Sequence, residues 1–289
     1  MADHKQSATA VLDAQISEAE AKAMSPEEKK FFDAALESLD REQQAKFALA
    51  PADVLMVVRG FANEEHRLEE TNKAIKHIAE WREKVGYYEF FEKNLEGDAQ
   101  FHQLWPEYIC GLDRFGHFLQ GIRVEEIDTD GLLKLDEDHL LCLQGQKMKA
   151  YAVYKHDLSN ASGVQRYKHT MLVDLHNISM SMLMGKKKNL MKKIFDIGST
   201  YYPETMFKIY LVNAPMVFRA IWAIIKPWLH PITVAKVNIL GSSKEAVKKL
   251  EQDGVPLSSI PTWLGGTCQP LTTFEYLNQL IAAKRRHGT

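Results

Sequence analysis

Three residues in the middle of the chain have the types for proton-transfer chemistry: His156, His169 and Asp174. A histidine oriented by a carboxylate can shuttle a proton near neutral pH, so hydrolysis is the first chemistry they suggest. The spacing around them gives it little support. No GxSxG turn, no HExxH pair and no glycine-rich phosphate loop occurs. The 11 histidines are dispersed, and neither His156 nor His169 has an acid or nucleophile at a diagnostic interval. Both read as structural or surface residues. Asp174 ends an apolar run, where a carboxylate can be catalytic but more commonly caps the next loop. A hydrolase using His169 and Asp174 is thus the third reading, and the expectation is a protein that is not an enzyme and has no metal site.

Two basic clusters could bind anions: Lys186, Lys187, Lys188, Lys192 and Lys193 on one helix, and Lys284, Arg285 and Arg286 near the C-terminus. Each is either a solvated face or a docking point on an anionic membrane, where a basic residue contributes about 1 kcal/mol. Net charge is −2, which gives no bulk attraction to nucleic acid, and no nucleic-acid partner is expected. Cys110, Cys142 and Cys268 show no CxxC spacing, and the N-terminal MADHKQSATA has no apolar run of the signal-peptide kind. These features point to the reducing cytosol, without a structural disulfide or a zinc knuckle.

The elements that must position any site divide the chain. A composition of 45% hydrophobic and 26% charged residues over 289 positions is globular, with room for a small domain and a larger one. Residues 1–24 are polar and read as a frayed or loosely docked arm. Ser25-Pro26-Glu27-Glu28 spells a capping box with proline at the first helical position. The helix it starts is expected to reach about Phe47. Pro51 opens a second helix through Val57 and Val58, and HRLEETNKAIKHIAEWREKVG a third, with Leu68, Ile75, Ile78, Ala79 and Trp81 near one side. Residues 25–95 therefore form a small helical module.

After the polar KNLEGDAQ, strands alternate with helices over 96–270. HFLQGIRV, KHTMLVDL, FKIYLV and AKVNIL read as strands. Between them lie a long helix from LDEDHLLCL ended by SNASG, a helix from about Ser181 to Ile197, and an apolar helix before AKVNIL. A helix from Ser243 to about Leu250 follows. Nearly continuous apolar strands alternating with helices indicate an α/β fold with a buried, mostly parallel sheet. Residues 271–289, including TFEYLNQLIAAKRR, form a terminal helix or tail.

The apolar helix is unusual. Pro215 and Pro227 bound it at about ten to twelve residues, short of the roughly 20 needed to cross a bilayer. Arg219 and Lys226, seven apart, share one face, and apolar residues cover the rest. By itself such a segment reads as a buried core helix.

From Tyr201 the chain runs YYPETMFKIYLVNAPMVFRAIWAIIKPWLHPITVAKVNILGS, with VPLSSIPTWLGGTC following. The stretch resembles the CRAL-TRIO lipid-binding fold, and within it the yeast phosphatidylinositol/phosphatidylcholine transfer protein family. More loosely, VLMVVRGFANEEHRLEETNKAIKHIAEWRE resembles the helical module preceding that fold, and LVDLHNIS its central strand. The resemblance implies a CRAL-TRIO domain over 96–270 behind a helical module. It makes the apolar helix a gate, with Pro215, Phe218, Ile221, Trp222 and Ile225 sealing one phospholipid in an apolar cavity. Exposing two acyl chains of roughly 30 methylenes to water would cost on the order of 24 kcal/mol, so the carrier must be as apolar as the membrane it serves.

For the ligand, the resemblance implies phosphatidylinositol or a related lipid, held by Glu204, Thr233 and Lys236 beside Tyr201. Without the resemblance, Glu204 and Lys236 read as an exposed ion pair. The family's headgroup arginine falls at Phe61, with Arg59 two positions earlier. At the choline-lipid site, Gln120, His169 and Met171 replace the family's tyrosine and Ser-x-Thr pair, which weighs against phosphatidylcholine. His169 and Met171 share a strand face. They leave a second reading open: a carrier of another hydrophobic ligand, such as a sterol, an isoprenoid or haem. The resemblance further implies a cytoplasmic monomer with no cofactor beyond its bound lipid, meeting membrane surfaces transiently.

Overall fold

The computed structural model describes residues 2–93, 95 and 97–287. Met1, positions 94 and 96 of the expected linker and domain boundary, and positions 288–289 of the expected tail lie outside them. The N-terminal stretch is not a frayed arm but a helix, α1 (Ala2–Ala21). Asp13, Ser17 and Glu20 follow one helical face and are buried. Hydrophobic periodicity does not detect this docking because the anchoring face is polar.

The capping box at Ser25 forms as expected. Ser25 Oγ accepts from the Glu28 N–H at 3.1 Å, and Glu28 Oε2 accepts from the Ser25 N–H at 2.8 Å, opening α2 (Pro26–Glu37). That helix stops short of Phe47 because Asp40 makes a second capping box with Gln43 and begins α3 (Arg41–Ala48). Two more helices, α4 (Pro51–Gly60) and α5 (Arg67–Lys84), close around Phe47, Val54, Val58, Ile75 and Ile78. Leu68, expected near the apolar side, is 47% exposed and lies outside that core.

The rest of the chain builds one sheet. In order come α6 (Asp98–Leu104), β1 (Glu107–Leu112), β2 (Phe118–Arg123), α7 (Thr129–Leu132), α8 (Glu137–Ser162), β3 (His169–Asp174), α9 (Lys186–Tyr201), β4 (Met206–Val212), α10 (Phe218–Ile225), α11 (Pro231–Ala235), β5 (Val237–Ile239), α12 (Ser243–Gln252), β6 (Leu271–Thr272) and α13 (Thr273–His287). Spatial order is β5-β4-β3-β2-β1-β6. Strands β2 to β5 pair in parallel, whereas β1 pairs antiparallel with β2 and β6. The mostly parallel sheet is as expected, with an antiparallel edge that the sequence reading lacks. α8 runs through the SNAS of SNASG and stops only at Gly163, whose φ of 69° is the left-handed stop that glycine adopts freely. α9 starts at Lys186, later than expected, because Met180–Leu183 is a separate 3-10 turn.

Two layers cover the sheet. On one face Leu119, Leu172, Tyr210 and Val212 pack against Ala246 and Leu250 of α12. On the other, Ile209 and Leu211 pack with Met191 and Ile194 of α9 and with Phe218 and Ile221 of α10. Gln120, Met171, Ile209 and Val237 stand side by side across this second face.

Candidate functional site

The segments entering three neighbouring parallel strands deliver three charges to one place. Lys168 directly precedes β3, Glu204 lies in the turn before β4, and Lys236 caps α11 just before β5. Lys168 Nζ donates to Glu204 Oε2 at 2.5 Å, and Lys236 Nζ lies 3.7 Å from the same oxygen. Glu204 sits at φ 56°, a left-handed backbone that is costly for a residue with a Cβ. A Cβ on Gly60 at the end of α4 would stand 3.4 Å from Glu204 Cγ, so the helical module forms one wall here. Thr233 is half-buried one turn of α11 before Lys236, and its carbonyl accepts from the Lys236 N–H.

The pair is not the exposed one that the sequence alone suggests: the Glu204 and Lys236 side chains are 17% and 13% exposed. Burial raises the Glu204 carboxyl, but the charges of Lys168 and Lys236 outweigh it and hold the pKa below the ordinary range. Burial, then the like charge of Lys168, pushes Lys236 down to about 8 against the pull of Glu204. Two ammonium groups thus face one carboxylate, which leaves positive charge for an anion.

Arg59 does not reach this place as a free cation. It donates to Glu28 Oε1 at 2.8 Å, to Tyr167 Oη at 2.9 Å, and to the carbonyls of Glu20 and Lys22 at 3.3 and 3.2 Å. It therefore braces the helical module against α1 and the start of β3. Phe61 packs against the core of that module. Tyr201 stacks on Trp81 of α5, with centroids 4.2 Å apart and planes 10° apart, and its hydroxyl lies 3.3 Å from His77 Nε2.

The choline-site positions belong mainly to a buried polar network. Gln120 Nε2 donates to Glu107 at 2.5 Å, as does the Tyr151 hydroxyl at 2.6 Å, and Lys147 pairs with the same carboxylate. Gln120 Oε1 then accepts from His169 Nε2 at 3.0 Å, which assigns the histidine proton to Nε2 and leaves Nδ1 buried without a partner. Burial first, then the charges of Lys155 and His117, hold His169 well below its ordinary pKa and so neutral. Met171 differs. It and Val173 keep accessible surface although β3 is flanked by strands on both sides, so the helices above leave part of this face unfilled.

The segment expected to act as a gate, α10, lies over that face. It is shorter than expected, eight residues followed by a 3-10 turn at Lys226–Trp228. It is also not a buried core helix. Phe218 and Ile221 are buried, Trp222 and Ile225 are half-buried against the same core, and Pro215, Arg219 and Ala220 are exposed. Met216, at its entrance, is 98% exposed. The ring of Trp228 rests 5.9 Å from that of Phe195 on α9.

Other residues with chemical potential are engaged elsewhere. Asp174 accepts from the His176 N–H and from Asn213 Nδ2, so it caps the loop after β3, and His156 is exposed. In the α9 cluster, Lys187, Lys192 and Lys193 pair with Asp130, Asp196 and Glu137. Among the described residues no group of three or more His, Cys, Asp or Glu could hold a metal ion, and no helix is long and apolar enough to cross a membrane. Sequence reasoning missed Lys168 and Glu20, since neither stands in a motif.

Comparison with known proteins gives the family and the fold. The chain is 29% identical over 198 residues to a CRAL-TRIO domain-containing protein of Saccharomyces cerevisiae, spanning 65% of this chain and 62% of that one. It is 30% identical over 198 residues to the SEC14 cytosolic factor of Eremothecium gossypii, spanning 64% and 60%. Against a phosphatidylinositol/phosphatidylcholine transfer protein of Arabidopsis thaliana the identity is 28% over 210 residues, 70% and 54%. The chain thus spans less than two thirds of the length of each of these relatives. The crystal structure of Sfh5 superposes with a TM-score of 0.56 at 16% identity, covering 79% of this chain and 85% of that one, a likeness of fold. Residues 102–266, more than half of the chain, match the CRAL/TRIO domain, and the protein belongs to that family.

Proposed function

We propose that the protein binds one phosphatidylinositol molecule under the α10 gate and exchanges it at membrane surfaces, by binding alone and without covalent catalysis. The observation that carries this reading is the cluster of Lys168, Glu204 and Lys236 at the edge of a sheet face that the gate covers incompletely. Ammonium groups suit a lipid phosphate, while Glu204 and Thr233 can bond sugar hydroxyls. The unfilled strip at Met171 and Val173 offers apolar surface for acyl chains. Relatives named as phosphatidylinositol/phosphatidylcholine transfer proteins support the lipid class. The choline half of that pairing finds less support here, because Gln120 is engaged by both His169 and Glu107. In this reading the lipid is the ligand, no cofactor is needed, and the protein works as a cytoplasmic monomer that touches membranes transiently.

The test is mass spectrometry of lipid extracted from the full chain after incubation with mixed-lipid vesicles and re-isolation. Stoichiometric phosphatidylinositol without phosphatidylcholine is the expected result. A sterol, isoprenoid or haem in its place would overturn the lipid assignment while leaving the fold intact.

A further inference from the structure

The carboxylate of Glu20 is held as a bound anion would be. Its Oε1 accepts from two consecutive backbone N–H groups, Tyr167 at 2.5 Å and Lys168 at 2.6 Å, and its Oε2 accepts from His117 Nε2 at 2.6 Å. The other ring nitrogen of His117 lies 3.2 Å from Asp113 Oδ2, so both nitrogens face carboxylates and both carry protons. Arg59 reaches the same helix end, donating from Nη1 to the Glu20 carbonyl and from Nη2 to that of Lys22. Glu20, His117, Tyr167 and Lys168 are all buried, and hydrogen bonds to charge are strong in such a place.

The donors belong to the domain and the helical module, whereas the anion belongs to a helix with little else to hold it. Between Val11 and Ala21 no apolar side chain of α1 is buried; Val11 and Leu12 are exposed, and the buried residues are Asp13, Ser17 and Glu20. Asp13 pairs with Lys208, and the Ser17 carbonyl accepts from Arg166 Nη1 at 3.2 Å. Glu20 also stands in the last turn of α1, where the helix dipole disfavours a carboxylate, so the helix itself gives no reason for an acid there.

Lifting α1 strips acceptors from the two backbone N–H groups, from His117 Nε2 and from both Arg59 Nη atoms. Lys155 on α8, buried and without a hydrogen bond or ion pair among the described residues, loses its strongest charge attraction as well, that of Glu20. Buried donors left bare are costly. A carboxylate brings two oxygens to these donors, while a phosphate monoester brings three strong acceptor oxygens and a charge of about −1.5 to −2 near neutral pH. The donor set therefore suits phosphate better than the acid that fills it.

We propose that the Glu20 seat is a binding site for a phosphate group and that α1 fills it as a detachable internal competitor. None of these donors is a side chain of the Lys168, Glu204 and Lys236 cluster, so the seat stands or falls apart from the lipid reading. Two sources offer the same chemistry, free phosphate and a phosphate carried on a lipid headgroup.

The experiment follows the protection of α1 against hydrogen exchange in the full chain as inorganic phosphate is added, with chloride at equal ionic strength as the control for screening. A second arm adds vesicles containing a phosphatidylinositol monophosphate, with phosphatidylinositol vesicles as their control. In parallel, phosphate is titrated into Glu20→Ala. The variant is expected to bind one phosphate and to show a shift of the His117 ring signals in its NMR spectrum that chloride does not reproduce. In the parent, α1 protection is expected to fall about tenfold when phosphate reaches about ten times the Kd of the variant. Release by inorganic phosphate assigns the seat to the soluble source; release by the phosphorylated vesicles alone assigns it to the lipid. Protection in the parent that neither source lowers beyond its control overturns the seat, as does a folded Glu20→Ala that binds neither. The parental arm needs no variant, so it decides the matter even where Glu20→Ala fails to fold.

Discussion

Lys168 and Glu204 join the entrances of two adjacent strands, the Lys168 Nζ donating to Glu204 Oε2 at 2.5 Å on a backbone held at φ 56°. Because Lys168 alone can balance that carboxylate, Lys236 is free to serve a ligand, and its replacement separates binding from folding. Lys236→Glu is expected to lower phosphatidylinositol transfer between vesicles by at least about tenfold, the equivalent of one charged hydrogen bond of roughly 1.5–3 kcal/mol. Its melting temperature is expected to stay within a few degrees of the parent's. Transfer at the parental rate by a folded Lys236→Glu protein would remove this residue from the site.

Proton linkage gives a second test of the same lysine. In the empty site Lys236 has its pKa pushed down to about 8, and an arriving phosphate favours the charged form. Binding is therefore strong below pH 8 and falls as pH rises above it, by up to about tenfold per unit while the liganded lysine stays protonated. Lipid loading measured from pH 7 to 9.5 should show this decline, and Lys236→Arg, which keeps its charge throughout, should flatten it. A parental profile already flat over that range would contradict the assignment.

The legible and illegible parts of this molecule differ for physical reasons. The capping box at Ser25 and the prolines around the gate act locally, so their residues lie within a few positions of one another and can be read directly. Glu204, Thr233 and Lys236 belong to separate strand entrances, and only the family resemblance connects them. Lys155 and Lys168 had no signal at all: a lysine on a helix or beside a strand reads as solvent-facing until the packing shows otherwise. Asp13, Ser17 and Glu20 are the strongest case, since α1 docks through buried polar groups and polarity in a sequence signals exposure. The edge strand β6 escaped for a simpler reason, being short: its two residues pair only with Tyr108 and Ile109 of β1.

The gate should loosen when its single fully buried side chain is shortened. Ile221 is 0% exposed, and Ile→Ala changes at such sites cost about 2–5 kcal/mol. α10 rests on the core through few residues and is fenced by Pro215 and Pro227, so the loss is expected to open this helix before it unfolds the domain. Ile221→Ala should release a preloaded fluorescent lipid to acceptor vesicles faster than the parent, with little change in the main melting transition. Ala220, exposed one position earlier, supplies the control: Ala220→Ser should leave release unchanged.

α1 should detach with a defined pH signature. Burial disfavours the charged ring of His117, but hydrogen bonds to Asp113 and Glu20 outweigh it and raise its pKa above the ordinary 6.5. Burial likewise disfavours the Glu20 carboxylate, while the His117 hydrogen bond and charge and the N–H groups of Lys168 and Tyr167 hold its pKa below the ordinary 4.5. The histidine's contribution is complete below 6.5 and is lost as pH rises through its elevated pKa. The carboxylate's contribution is complete above 4.5 and is lost as pH falls through its depressed pKa. Docking is therefore tightest between about pH 4.5 and 6.5, and the protection of residues 11–21 against hydrogen exchange, relative to the intrinsic rate at each pH, should be greatest there. Glu20→Ala leaves a buried histidine and two N–H groups without their acceptor, a loss of about 3–5 kcal/mol for a broken buried pair. In that variant the protection of α1, taken relative to the intrinsic exchange rate at each pH, should be small and lose its pH dependence, and strong protection retained at every pH would show that the helix is held by something other than Glu20.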